Sequence, residues 1–238
     1  MYNERFSRTI RLIGEEAAER LTMSRIAVFG LGGVGGYSAE ALARAGVGAV
    51  DLVDFDIVSR SNINRQIIAD ETTVGQYKTE VMAQRIKKIN PDCKVTEHRM
   101  FFSDESIKQL DLKQFDYIID AIDTVSSKLL LIMQADREHI PMISCMGTGN
   151  KLDPLKLTVT DIYKTSMCPL AAVIRRELRH RGVRKLKVVY STEQPVKVKN
   201  ESENGRNIPA SISYVPPVAG MIAAGEAIRF ISGIAQNK

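Results

Sequence analysis

At 238 residues, 44% hydrophobic and 26% charged, the chain has the balance of a folded protein with one sizeable α/β domain, and is too short for two full ones. No tryptophan and 6% aromatics point to an aliphatic core, and three scattered cysteines (Cys93, Cys145, Cys168) with no CxxC pair indicate neither a disulfide framework nor a structural zinc. The formal charge of +5 is local: from Arg175 to Asn200 nine Lys or Arg face two acids, a net of +7, which leaves about −2 for the rest.

In chain order, residues 4–21 predict an amphipathic helix, with Phe6, Ile10, Ile13, Ala17 and Leu21 at helical spacing. This N-terminal stretch carries charges throughout and no apolar signal core, so the expected compartment is the cytosol. SRIAVFG predicts a buried strand, the glycine loop follows, and SAEALARAG predicts a helix that stops at Gly46. AVDLVDFD is a second strand that ends on acids. VGQYKTEVMAQRIKKINP is a helix closed by Asn90-Pro91. CKVTEHRM alternates as a strand, FDYIIDAID is a buried strand, SSKLLLIMQADREHI a helix and PMISCMG another strand.

Strands alternating with helices predict right-handed βαβ units: an α/β, Rossmann-like, mostly parallel sheet with helices on both faces. The pattern changes near Gly147, which divides the chain into 1–150, the nucleotide-binding part, and 151–238, a smaller extension with added strands. In that extension LKLTVTDIY and LKVVYST predict strands joined by the basic helix CPLAAVIRRELRHRG. KVKNESENGRNIPA predicts a mobile loop, and PPVAGMIAAGEAIRFISGI an apolar core or dimer-interface helix. Glu226 and Arg229 interrupt the latter, which leaves it short of a membrane span.

Gly30, Gly32 and Gly35 fit G-x-G-x-x-G between a strand and a helix. Without a Cβ the backbone turns tightly and approaches a phosphate, and the helix N-terminus supplies N–H groups. Asp54, about 20 residues on, sits where a carboxylate accepts ribose hydroxyls. These features alone fit NAD, FAD or ATP. Asn62, Asn64, Arg65, Lys78 and Asp123 narrow the choice, because an open parallel sheet brings all of them to one crevice at its carboxyl edge. Two cations and amide donors beside an acid suit a triphosphate with Mg²⁺, and hydride transfer uses none of them.

In order and spacing, RFSRTIRLIG, FGLGGVGG, DFDIVSRSNINRQ, TVGQYKTEVM, INP, DAID and SYVPPVAGMIAAGEAIR resemble the ubiquitin-activating-type adenylating enzymes, which include the bacterial ThiF and MoeB proteins. The resemblance spans nearly the whole chain. It implies a homodimer that makes an acyl-adenylate from a carboxylate and ATP. Gly33 would lie against the nucleotide, Asp54 bind its ribose, Asn62 and Arg65 contact phosphates, Lys78 reach them and Asp123 position Mg²⁺. Arg8 matches an arginine that the family inserts into the partner subunit's site.

Members that activate ubiquitin-like tails usually carry two zinc-binding CxxC pairs, and this chain has neither. Cys168 admits a thioester or persulfide role or that of a cysteine at a helix start. RRELRHRGVRKLKVVYSTEQP, with the terminal segment, resembles the branch of the family that dehydrates threonylcarbamoyladenosine in tRNA beside the anticodon. That resemblance implies a tRNA-binding extension in which Arg175, Arg176, Arg179, Arg181, Arg184, Lys185 and Lys187 contact phosphates. Charge alone also fits an ordinary solvated helix face. The alternative is adenylation of the C-terminus of a small sulfur-carrier protein, and a cysteine desulfurase or sulfur acceptor is a partner that the resemblance leaves open.

Overall fold

A computed structural model describes residues 4–198, 202–203, 206–207 and 209–234. Its frame is a seven-stranded sheet in the order β3-β2-β1-β4-β5-β7-β6. The strands are β1 (Arg25–Phe29), β2 (Ala49–Val53), β3 (Lys94–His98), β4 (Tyr117–Asp120), β5 (Met142–Cys145), β6 (Leu157–Asp161) and β7 (Lys187–Ser191). All neighbours pair in parallel except β6 and β7, which are antiparallel. The predicted α/β, mostly parallel sheet is therefore present, and the strands added after Gly147 extend that same sheet at its edge.

Burial of both faces explains the apolar strands. Along β1, Ile26 and Val28 face one core, and Ala27 and Phe29 face the other. The first core is closed by α2 (Glu15–Met23), α3 (Gly35–Ala45), α4 (Lys78–Ile89) and α7 (Val215–Ser232), through residues such as Leu21, Leu42, Met82 and Ala223. The opposite face carries α5 (Val125–Arg137) and α6 (Pro169–His180), through Leu131 and Ala135 of the first and Ile174 and Leu178 of the second.

The single helix predicted over 4–21 is two: α1 (Ser7–Ile13) and α2, parted at Gly14. Gly14 has φ +86°, a value open to glycine that an α-helix does not use. Helix α4 begins at Lys78, later than its sequence pattern suggests, because residues just before it form turns and Tyr77 bridges to Ile57. The terminal helix α7 packs on α3, α2 and strands β4 and β5, so it belongs to the core of one chain; Met221 and Phe230 remain exposed on it. Part of the polar segment 197–210 lies outside the described residues, including Asn204; Ser202–Glu203 (β8) pairs antiparallel with Arg206–Asn207 (β9). Among the described residues no helix is long and apolar enough to cross a membrane.

Candidate active site

The strand order reverses between β1 and β4, where an open sheet offers a crevice beyond its carboxyl ends. A cavity of about 380 Å³ occupies that position. Every strand from β3 to β5 contributes to it: Met100, Phe101 and Phe102 after β3, Asp54 after β2, the Gly30–Gly33 turn after β1, Ala121–Thr124 after β4, and Cys145–Gly149 at β5.

The glycine turn is tight. A Cβ on Gly30 would lie 2.7 Å from the Ala121 carbonyl, and one on Gly35 would overlap the Gly30 carbonyl. Gly30, Gly32 and Gly33 line the cavity, whereas Gly35 forms the first turn of α3 and packs the helix onto the loop. Asp54 is buried and accepts the backbone N–H of Leu31 at 2.6 Å and of Asp56 at 2.8 Å. Burial raises its pKa, and the nearby Lys78 charge and the two amide bonds oppose that rise.

The SNINR segment forms a 3-10 turn over Arg60–Asn62, closed by Asn62 Oδ1, which accepts the Ser59 N–H at 3.1 Å. Asn62 and Arg65 both line the cavity. The Arg65 guanidinium donates to the Ser61 carbonyl and to Asn64 Oδ1, and burial lowers its pKa. Asn64 points elsewhere: its Nδ2 donates to the Ser211 carbonyl at 3.2 Å, tying this loop to the C-terminal segment. Lys78 is 6% exposed, lines the cavity and holds Asp56 Oδ2 at 2.7 Å. Asp123 also lines the cavity; it is exposed and accepts a long hydrogen bond, 3.4 Å, from the Thr124 hydroxyl.

Other predicted residues lie away from this cavity. Arg8 is exposed on α1. Cys168 is buried, and its sulfur caps α6 by accepting the Ala171 N–H at 3.5 Å, which is the helix-start role. In the basic block, Arg175 is tied to Thr165 through its carbonyl and hydroxyl, and Arg179 lies over the Tyr163 ring. Arg176 and Arg181 pair with Glu177, and Lys187 pairs with Glu226. Arg184 and Lys185 are exposed with no hydrogen-bond or ion-pair partner among the described residues.

Several lining residues carried no sequence signal of their own. Asp56 sits two positions after the expected acid. Gln66 is buried, and its Oε1 has no partner among the described residues; Ser127 of α5 is in the same condition through its hydroxyl. Phe55 and Phe101 stack edge to face at 5.1 Å at one end of the cavity. Beneath the floor lies a buried knot in which Lys128 reaches Asp120 at 2.8 Å, the Ser144 hydroxyl at 3.2 Å and the Cys145 carbonyl at 3.0 Å. Burial pushes the Cys145 thiol up to about 12, so it stands in the wall as a neutral thiol.

The ThiF family model matches residues 6–238, which takes in the glycine turn, the acid-rich loop and the terminal helix together. The chain belongs to the ThiF family. Among ThiF-family relatives it is 42% identical over 235 residues to the tRNA threonylcarbamoyladenosine dehydratase of Bacillus subtilis, covering 94% of this chain and 92% of that one. The crystal structure of Escherichia coli tRNA N6-threonylcarbamoyladenosine dehydratase, TcdA, in complex with ATP superposes with a TM-score of 0.89 at 38% identity, over 99% of this chain and 96% of that one. The molybdopterin-synthase adenylyltransferase of E. coli is 34% identical over 142 residues, covering 59% of this chain and 57% of its own length.

Proposed function

We propose that the protein is an ATP-dependent tRNA threonylcarbamoyladenosine dehydratase that cyclises its substrate through an adenylated carboxylate. The observation that carries the adenylation chemistry is the gathering of Arg65, Lys78 and Asp123 around one cavity whose next strand end presents the ribose-type carboxylate of Asp54. Likeness over nearly the full chain to proteins of that name supports the choice of carboxylate.

In the first step a substrate carboxylate oxygen attacks the α-phosphorus and the bond to pyrophosphate breaks. Asp54 orients the ribose, while Asn62, Arg65 and Lys78 face the phosphates and neutralise charge that builds on the leaving group. Fixed cations in such a position are worth on the order of 10³-fold in rate. In the second step a neighbouring group of the same nucleoside attacks the activated acyl carbon. AMP departs with the former carboxylate oxygen, and the nucleophile's proton passes to solvent. The nucleophile is already tethered to the acyl group, so no acceptor cysteine is needed. That agrees with the buried, capping position of Cys168.

Mg²⁺ would supply charge neutralisation for the pyrophosphate. Asp123 fits it: the carboxylate is exposed in the cavity wall and only weakly engaged. Mg²⁺ typically uses one or two carboxylates plus substrate phosphates and water. No cage of three or more His, Cys, Asp or Glu exists among the described residues, and none is required.

Arg8 would enter the cavity of a second copy, so the reading includes a homodimer. The basic helix α6 begins beside the cavity, where Leu170 joins the lining, and is roughly 18 Å long. That is a suitable track for tRNA phosphates in a protein acting in the cytosol. Residues 1–150 then form the ATP-binding part and 151–238 the tRNA-binding extension. The test is incubation with ATP, Mg²⁺ and tRNA bearing threonylcarbamoyladenosine, followed by mass spectrometry of the nucleoside. Loss of one water is expected. An unchanged nucleoside alongside adenylation of a sulfur-carrier protein's C-terminus would overturn the reading.

A further inference from the structure

We propose that the first turn of α5, with the hydroxyl of Ser127, is the subsite that grips the substrate's carboxylate beside the α-phosphate. The assignment rests on the adenylation reading above and adds to it the groups that hold the attacking acid.

The strand order supplies the first argument. Across the carboxyl edge run the aromatic group Phe55, Phe101 and Phe102, then Asp54, then the Gly30–Gly33 turn, then Asp123, Thr124 and Ser127, then Met146–Gly149. A nucleotide with its ribose on Asp54 and its phosphates at the glycine turn leaves the next strand end, β4, as the place where its reaction partner arrives. Adjacent strands are about 4.8 Å apart, so that place is one strand spacing from the phosphates.

The second argument is what waits there. Helix α5 is 13 residues long, and its N-cap, Thr124, makes no side-chain cap bond. The amides of Val125, Ser126 and Ser127 find no acceptor among the described residues, the first such bond being Lys128 N–H to Thr124 O. They form a cluster of donors at the positive end of a helix, which favours an anion. The third, independent argument is Ser127 itself. It is 3% exposed, lines the cavity, and its hydroxyl has no partner among the described residues. A buried hydroxyl left unsatisfied calls for a partner outside the protein's own atoms. A carboxylate oxygen supplies one to the hydroxyl and to the helix amides at once. Lys128, the following residue, locks the turn from below through Asp120 and Ser144.

This arrangement serves both steps. The same donors that orient the carboxylate for attack on phosphorus remain beside the acyl oxygen, where negative charge reappears when the tethered nucleophile adds. Lys78 and Arg65 face the phosphates and need not be shared.

The experiment compares wild type with Ser127→Ala in three assays: thermal unfolding, ATP binding without tRNA, and ATP–pyrophosphate exchange driven by threonylcarbamoyladenosine-bearing tRNA. The variant should unfold no earlier than wild type, because it loses a hydroxyl that bonds to nothing in the folded chain. ATP affinity should stay within about twofold, while tRNA-driven exchange per active site at low tRNA falls about 10- to 100-fold, the loss of one hydrogen bond to a charged group. Unchanged exchange would overturn the assignment. So would an equal fall in ATP affinity, which would place Ser127 on the phosphates, or a marked drop in melting temperature, which would make it structural. Wild type that binds ATP but gives no tRNA-driven exchange would instead sink the adenylation reading, and this subsite with it.

Discussion

The Lys78 ammonium lies 2.7 Å from Asp56 Oδ2, so a cation assigned to ATP phosphate already has a carboxylate partner within the chain. The pair is lopsided: the Lys78 side chain is 7% exposed and that of Asp56 45%. Removing one member therefore does not mirror removing the other. Lys78→Met leaves Asp56 facing water, so stability changes little, but turnover with ATP should drop on the order of 10²- to 10³-fold. Asp56→Ala strands a buried ammonium and should cost about 1–2 kcal/mol of stability, a figure discounted for the partner's exposure. Urea unfolding alongside turnover measures both; a larger stability loss in Lys78→Met would contradict the assignment.

Beneath the cavity, Lys128 and Asp120 are both fully buried. Lys128→Met leaves an uncompensated carboxylate and should destabilise by about 3–5 kcal/mol. Lys128→Met combined with Asp120→Leu should regain much of that, since no charge is then stranded. Activity should not return with it. Asp120 Oδ1 accepts the Ile122 N–H at 3.0 Å and so shapes the loop that carries Asp123. A double mutant as unstable as the sum of the singles would refute this account.

Two buried acids predict opposite pH effects. Asp54 has a raised pKa, chiefly through burial, and in the ribose-binding role proposed for it would act as the ionised carboxylate. ATP affinity should therefore weaken as pH falls through a value raised above that of an ordinary aspartate. The folded state also holds that proton more tightly than the unfolded chain, so Asp54's contribution to stability without ligand declines as pH rises through the same window. Asp51 is pushed up by burial, but His98 and Arg25 more than offset that and its net pKa is lowered. Its stabilising contribution is present above the ordinary carboxylate value and is lost as pH falls through the lowered one. Titrating ATP binding and unfolding separately, with Asp51→Asn as control, distinguishes the two groups. Asp51→Asn should flatten only the acid limb of stability.

Helix α7 packs closely on the glycine turn, at Pro216 beside Gly33 and at Gly220 beside Val34. Ser38 Oγ donates to the Gly220 carbonyl at 2.9 Å, and a Cβ on Gly220 would overlap the Val34 carbonyl. Val34 and Pro216 both line the cavity. Gly220→Ala should cost about 1–3 kcal/mol by forcing α7 off α3. It should also weaken ATP binding, because the glycine turn moves with Val34. Normal ATP affinity in a destabilised variant would show the loop to be held independently of α7.

Within the basic block, Arg184 and Lys185 are the exposed pair without intramolecular partners among the described residues, whereas Arg175 is bonded to Thr165. Removing the charges of Arg184 and Lys185 should weaken tRNA binding and reduce the salt-dependence slope by about 1.5–2, one phosphate contact each. Arg175→Ala should lower stability as well. An unchanged salt slope in the Arg184, Lys185 double variant would return that surface to ordinary solvation.

What the sequence by itself determined was the order of the strands and helices and the identity of several groups that line the cavity. Apolar runs bounded by turns place β1, β2, β4 and β5, and in an open parallel sheet every residue just past a strand end comes to one edge. That rule brings Gly30, Asp54 and Asp123 together before any coordinates are known. Arg65 and Lys78 were legible for a different reason, as cations that follow the strand-end acid in order, the first in a short polar stretch and the second early in the next helix. Only the tertiary structure decided what those groups do to one another. Nothing local pairs Asp56 with Lys78, turns Asn64 toward Ser211, ties Arg175 to Thr165, or leaves the Ser127 hydroxyl buried without a partner among the described residues. These follow from which surfaces meet when α5, α7 and the 60s loop close on the sheet, and such meetings join residues far apart in the chain. Periodicity and spacing report a residue's own element and face; a partner's identity depends on the register of a second element.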